Sequence, residues 1–118
     1  MEYVFLIYSR EADRASATPE QMQKELDEYN AFTKDVLDRG VYVAAEALQP
    51  TQTATTVRLR DGKVVTTDGP FAETKEQLGG LYVINCKDLD EAIAVAARIP
   101  SAKRGSIEVR PIMDFGLP

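Results

Sequence analysis

Residues 2–9 read Glu2-Tyr3-Val4-Phe5-Leu6-Ile7-Tyr8-Ser9, and this run decides the fold. A stretch of β-branched, aromatic and aliphatic side chains this short, bounded by the charged segment Arg10 to Arg14, forms a strand rather than a helix. Successive side chains of a strand point to opposite faces. Tyr3, Phe5 and Ile7 therefore face one way, and Val4, Leu6 and Tyr8 the other. Both sets are apolar, so the strand is central and its sheet needs cover above and below.

Working outward, Thr18-Pro19-Glu20-Gln21 supplies a capping residue, a proline at the first helical position and a glutamine three residues after the cap, which together start a helix. Met22, Leu26, Tyr29, Val36 and Leu37 lie on one stripe, bridged by Phe32 and Thr33, and Gly40 ends the helix. Period two returns from Val41 to Leu48, which puts Glu46 on the same side as Tyr42, Ala44 and Leu48. Asp61-Gly62 between Thr55–Arg60 and Lys63–Asp68 predicts a two-residue hairpin that sets Leu59 opposite Val64, Val57 opposite Thr66, and Thr55 opposite Asp68.

Beyond the hairpin, Ala72 to Gln77 is long enough for one short helical turn, and Gly79-Gly80 reads as a break before a strand over 81–86. Asp88, with Glu91 three residues on, caps a second long helix whose Leu89, Ala92, Ile93, Ala96 and Ala97 recur at helical spacing. Pro100 closes that region. A last strand over 106–113 opposes Ile107 and Val109 to Glu108 and Arg110, and residues 114–118 form a tail.

The order strand, helix, strand, hairpin, strand, helix, strand is an α+β ferredoxin-like plan with an antiparallel sheet, a single domain over residues 1–118. Two helices cover only one face of such a sheet. A second copy of the chain, packed sheet to sheet as a two-fold homodimer, is the economical cover for the other.

Composition narrows the function. The chain has 118 residues and a net charge of −5, with a pI near 4.7, which argues against nucleic-acid or membrane-surface partners. It contains no histidine. Imidazole metal sites, Ser/His/Asp triads and Cys/His pairs are thereby excluded. Cys86, the single cysteine, sits in an apolar run and reads as a buried core thiol; it and the lack of a secretory leader pattern at Met1–Tyr8 point to the cytoplasm. No spacing calls for a metal or any other cofactor.

Asp68 is the candidate catalytic group. It ends a hairpin strand before a Gly-Pro turn, where its carboxylate either exchanges protons at the mouth of a cleft, if neighbours such as Phe71 desolvate it, or bonds the following amides as an Asx turn. Tyr8, Glu46, Tyr82, Glu108 and Arg110 are expected together on the face away from the helices. There they are either a ligand site, with Arg110 clamping a carboxylate or phenolate and a tyrosine serving an oxyanion, or a network of ion pairs across the dimer. Glu73 and Lys75 are read as solvated, and Gly69, Pro70, Phe71, Gly79 and Gly80 as turn and packing residues.

The segment Thr67-Asp68-Gly69-Pro70-Phe71-Ala72-Glu73-Thr74-Lys75-Glu76-Gln77-Leu78-Gly79-Gly80 resembles the signature of the YCII-related, or DGPF-domain, family. Glu46-Ala47-Leu48-Gln49-Pro50, Thr55-Thr56-Val57-Arg58, Asp61-Gly62 and Gly105-Ser106-Ile107-Glu108-Val109-Arg110-Pro111 extend the similarity over nearly the whole chain. The resemblance implies a dimeric α+β barrel. It also implies small-molecule chemistry of the kind shown by a related dehydrochlorinase of a chlorinated hydroxyquinol, or a regulatory module of the kind encoded beside extracytoplasmic-function sigma factors. The histidine–aspartate pair associated with the YciI-like branch does not carry over, since only an aspartate such as Asp68 is present. The expectation is a homodimer that binds a small anionic or phenolic molecule beside Asp68, with lyase-like proton transfer as its reaction, or a non-catalytic interaction module.

Overall fold

The computed structural model describes residues 1–116. In chain order they form β1 (Glu2–Ser9), α1 (Glu11–Ala15), α2 (Pro19–Asp38), β2 (Tyr42–Ala47), β3 (Thr55–Arg60), β4 (Lys63–Asp68), β5 (Gln77–Asn85), α3 (Leu89–Arg98) and β6 (Ser106–Pro111), with single 3-10 turns at Thr51–Thr53 and Pro100–Lys103. The sheet is antiparallel, ordered β2-β5-β1-β6, and β3 and β4 make a separate two-stranded sheet. This is the α+β ferredoxin-like arrangement, with β1 central and a hairpin inserted between β2 and β5.

Local signals account for the element ends. Thr18 accepts the amide of Gln21 and the Gln21 side chain returns to the Thr18 amide, closing the capping box at the head of α2. Gly40 ends that helix at φ +72°, a conformation glycine adopts without a Cβ penalty. Asp88 caps α3 by accepting the Glu91 amide. Asp61 and Gly62 both have positive φ, and the hairpin register sets Leu59 against Val64 and Thr55 against Asp68, as its turn dictates.

The core lies on one side of the sheet. Tyr3, Phe5 and Ile7 of β1 and Tyr82 and Ile84 of β5 are buried against Phe32 and Val36 of α2 and against Ala92, Val95 and Ala96 of α3, with Cys86 and Ile99 beside them. Each fully buried side chain of this size stabilises the fold by about 1.5–3 kcal/mol. Val4 and Leu6, one residue out of phase on β1, and Leu81 and Val83 on β5 are only half-buried. Both long helices pack on the other side, so this face of the sheet has no helical cover.

Several elements depart from the periodicity. β5 begins at Gln77 and runs through Gly79-Gly80 rather than starting after them. Its pairing with β1 slips between Ile7 and Tyr8, so that Ile7 faces Gly80 and Tyr8 faces Leu78, leaving Gly79 as the extra residue of a bulge. A Cβ on Gly80 would stand 2.8 Å from the Glu46 carbonyl oxygen of β2, which explains a glycine inside a strand. β2 has its own irregularity between Tyr42 and Ala44, so Tyr42 and Ala45 both pack toward the helices and strict alternation fails at Val43. Residues 72–76 form bends and no helical turn. The buried stripe of α3 is Ala92, Val95 and Ala96, while Leu89 and Ile93 are exposed. The last strand ends at Pro111, and of the expected tail Leu117 and Pro118 lie outside the described residues.

Candidate functional site

The apolar stripe of α2 is longer than the core beneath it. Phe32 and Val36 are buried, whereas Leu26 and Met22, on the same stripe about two and three turns earlier than Phe32, are exposed. They wall a half-enclosed cleft of about 800 Å³ between α1, α2 and the end of the sheet. Its floor is Ile7 of β1, Ala45 and Ala47 of β2, and Gly80 and Tyr82 of β5. The size and the mostly apolar walls are those of a small-molecule site.

Polar groups enter this cleft at defined places. The Tyr82 hydroxyl lies 2.6 Å from Thr33 Oγ1, and the Tyr29 hydroxyl 2.6 Å from Ser101 Oγ. The two tyrosine rings are parallel within 3° at 6.5 Å between centroids, and Phe32 meets Tyr82 edge-on at 5.1 Å. Burial raises both phenol pKa values above the ordinary range, against the lowering effect of the hydroxyl each one meets. For Tyr29 the charge of Glu25 adds to the rise. Both phenols are neutral at neutral pH.

The rim is charged, with Arg10, Arg14 and Arg104 against Asp13 and Glu25. Arg14 and Arg104 converge on one carboxylate, Glu25, each at 3.5 Å. Two guanidinium groups thus share a single anion. α1, which forms part of this rim, buries no residue of its own. It is tied down through Glu11: its amide donates to the Gln77 side chain at 3.0 Å, and its carboxylate accepts the Thr51 amide and hydroxyl at 2.9 and 3.0 Å.

The candidates named from the sequence are not gathered in one place. Tyr82 faces the helices, not the opposite side as period two suggested, because the β1 register places it beside buried Phe5. It lines the cleft, whereas Glu46, which borders the cleft along β2, pairs with Leu81 in the same row as Leu6 and Glu108 and so belongs to the uncovered face, as period two suggested. Glu108 and Arg110 stand on the uncovered face opposite Leu6 and Val4 and form an ion pair with each other. Tyr8 helps line a second, open recess together with Arg10, Thr74, Lys75, Glu76 and Ser106, where Ser106 Oγ donates to Glu76 Oε1 at 2.7 Å. Arg10 borders both recesses.

Asp68 lines neither recess. Its side chain is exposed, and among the described residues its carboxylate has no hydrogen-bond partner, so no Asx turn forms. The turn is held instead by backbone: the Gly69 amide donates to the Ala54 carbonyl at 2.7 Å, and the Gly69 carbonyl accepts from Thr56 Oγ1 at 2.9 Å. Gly69 has φ +96°, which favours glycine. Phe71 is 81% exposed and desolvates nothing within the protomer. Pro70, Glu73 and Lys75 are exposed.

Sequence reasoning missed Arg10, Arg14, Tyr29, Thr33, Ser101 and Arg104. The one signal that pointed to them was the helical stripe that runs past its core. Among the described residues no group of three or more His, Cys, Asp or Glu side chains gathers to hold a metal, and no helix is long and apolar enough to cross a membrane.

An uncharacterized protein of Rhizobium meliloti (strain 1021) is 37% identical over 114 residues, covering 95% of this chain and 92% of its own length. A family model described as the YCII-related domain matches residues 1–116. The chain belongs to the YCII-related domain family.

Proposed function

We propose that this protein is a cytoplasmic homodimer that binds a small, flat organic molecule bearing an anionic or phenolic oxygen in the cleft between α2 and the sheet. The observation that carries the reading is the overshoot of the α2 stripe: Met22 and Leu26 have no core to pack on and wall a cleft that two tyrosine hydroxyls and a guanidinium pair also enter. Apolar walls accept the body of such a ligand. Arg14 and Arg104, held together by Glu25, receive its charged oxygen. The dimer half of the reading follows from the sheet face around Val4, Leu6, Leu81 and Val83, which no helix of the protomer covers. This reading moves the ligand away from Asp68, whose carboxylate is outside the cleft.

Titration with salicylate, followed by NMR chemical shifts, tests the reading. Shifts are expected at Tyr29, Thr33, Tyr82 and Ala45. Glu25→Gln removes the competing carboxylate and is expected to tighten binding about three- to ten-fold, while Arg104→Gln weakens it by a similar factor. Weaker binding in Glu25→Gln and unchanged binding in Arg104→Gln would overturn the anion assignment. Shifts clustered instead around Asp68 would overturn the location.

A further inference from the structure

β3 and β4 pair only with each other, and none of their residues is buried. On one face of this hairpin Val57, Leu59 and Val64 lie together, Leu59 directly across from Val64, and they are 62%, 65% and 70% exposed. An isolated two-stranded hairpin is at best marginally stable in water, and an open apolar strip makes it less so. Its root, however, is fixed. Glu11 holds Thr51 where the hairpin leaves the body, and the Gly69 amide bonds the Ala54 carbonyl across its base. An anchored base with an unsupported apolar blade is an arm.

The shape of the protomer agrees. A compact chain of this length has a radius of gyration of about 13–14 Å, whereas here it is 16.4 Å, with extents of 48 × 45 × 20 Å. Charge indicates what the arm meets. Residues 55–68 carry Arg58, Arg60 and Lys63 against Asp61 and Asp68, a net of +1, which leaves −6 on the rest of a chain whose total is −5. A slightly basic blade fits an acidic body, and the acidic body at hand is another copy of this chain. A stable dimer needs about 800 Å² per partner, and in a two-fold arrangement each arm adds its strip to the interface made by the uncovered sheet face, so the contribution is made twice.

We infer that the β3–β4 hairpin is a dimerisation arm whose Val57, Leu59 and Val64 face seats on the body of a second copy of this chain. The inference rests on the dimer reading above, and it assigns the hairpin a role which that reading leaves open. Because these three side chains are exposed in the protomer, replacing them leaves the protomer fold intact.

Sedimentation velocity on the full chain and on Val57→Ser/Leu59→Ser/Val64→Ser tests it, with far-UV circular dichroism as the folding control. The triple variant is expected to weaken the dimer by on the order of 100-fold or more, given what burying three such side chains contributes. A triple variant that dimerises like the parent overturns the arm while leaving the sheet-face dimer standing. A parent protein that is monomeric throughout overturns both. If Leu6→Lys on the sheet face remains dimeric while the hairpin variant does not, the arm stands and the sheet-face reading fails.

Amide hydrogen exchange in the hairpin gives a second reading that needs no substitution. Exchange that speeds up on dilution, while β1 and β5 stay protected, supports the arm. Protection of the hairpin that is independent of protein concentration assigns the strip to its own body and overturns it.

Discussion

Two sides of one sheet, built from the same strands, differ in what they do. On β1 the residues Tyr3, Phe5 and Ile7 are buried against helices, and Val4, Leu6 and Tyr8, equally apolar and one position away, are only half-buried. Composition therefore does not decide burial here; topology does. Two crossover helices fall on one side of an α+β sheet of this order, and whatever apolar residues the strands carry on the other side are left without helical cover. The helix side is itself divided. Where α2 has core beneath it, at Phe32 and Val36, the interior is filled, and where it overhangs, at Met22 and Leu26, the space becomes a cleft.

The largest expected effect comes from breaking this asymmetry at adjacent residues of β5. Ile84→Ala empties a fully buried site and is expected to cost about 2–5 kcal/mol in urea unfolding. Val83→Ala, measured at a concentration low enough to keep the protein monomeric, is expected to cost about 1 kcal/mol or less, since little of its surface leaves water. Equal costs would mean that the two faces are covered alike.

A smaller effect separates the cleft from the surface by pH. Burial raises the pKa of Tyr29 and Tyr82 in the folded state above that of the unfolded chain. The folded protein then holds these protons more tightly, so the stability they contribute is fully present below the unfolded value near 10 and is lost as pH climbs through the folded values. Ultraviolet titration of the parent compared with Tyr29→Phe and Tyr82→Phe is expected to show that these two phenols ionise late, and thermal stability is expected to fall over the same range. Tyr82→Phe should flatten that fall. A single tyrosine transition at the ordinary value would place both rings in water.

The smallest effect belongs to the hairpin end. Asp68→Asn removes a carboxylate without partners among the described residues and is expected to change stability by less than about 0.5 kcal/mol. A loss of a kilocalorie per mole or more would mean that the carboxylate is bonded in solution, in the turn or by a second subunit.

Much of this division is written locally in the sequence. The double-sided apolar run of β1, the Thr18 capping box, the Asp88 cap and the Asp61-Gly62 hairpin are each decided by a few neighbouring residues, and each forms as its chemistry requires. What escaped is what depends on register between distant strands. Nothing within β5 says which way Tyr82 points, because Leu81 and Val83 are as apolar as Tyr82 and Ile84; only the pairing of Phe5 with Tyr82 settles it. The bulge at Gly79 and the close approach of Glu46 to Gly80 turn an apparent strand break into the middle of β5. The cleft draws on β1, α1, α2, β2, β5 and the turn after α3, so no single window of sequence contains its pattern.

The uncovered face of the sheet, as proposed above, is an interface between two copies of this chain. Native mass spectrometry of the parent protein and of Leu6→Lys tests that most directly. The expected result is a parent species at twice 13.1 kDa and a variant that is folded and monomeric. A parent protein found only at 13.1 kDa at micromolar concentration and near-physiological salt would contradict it.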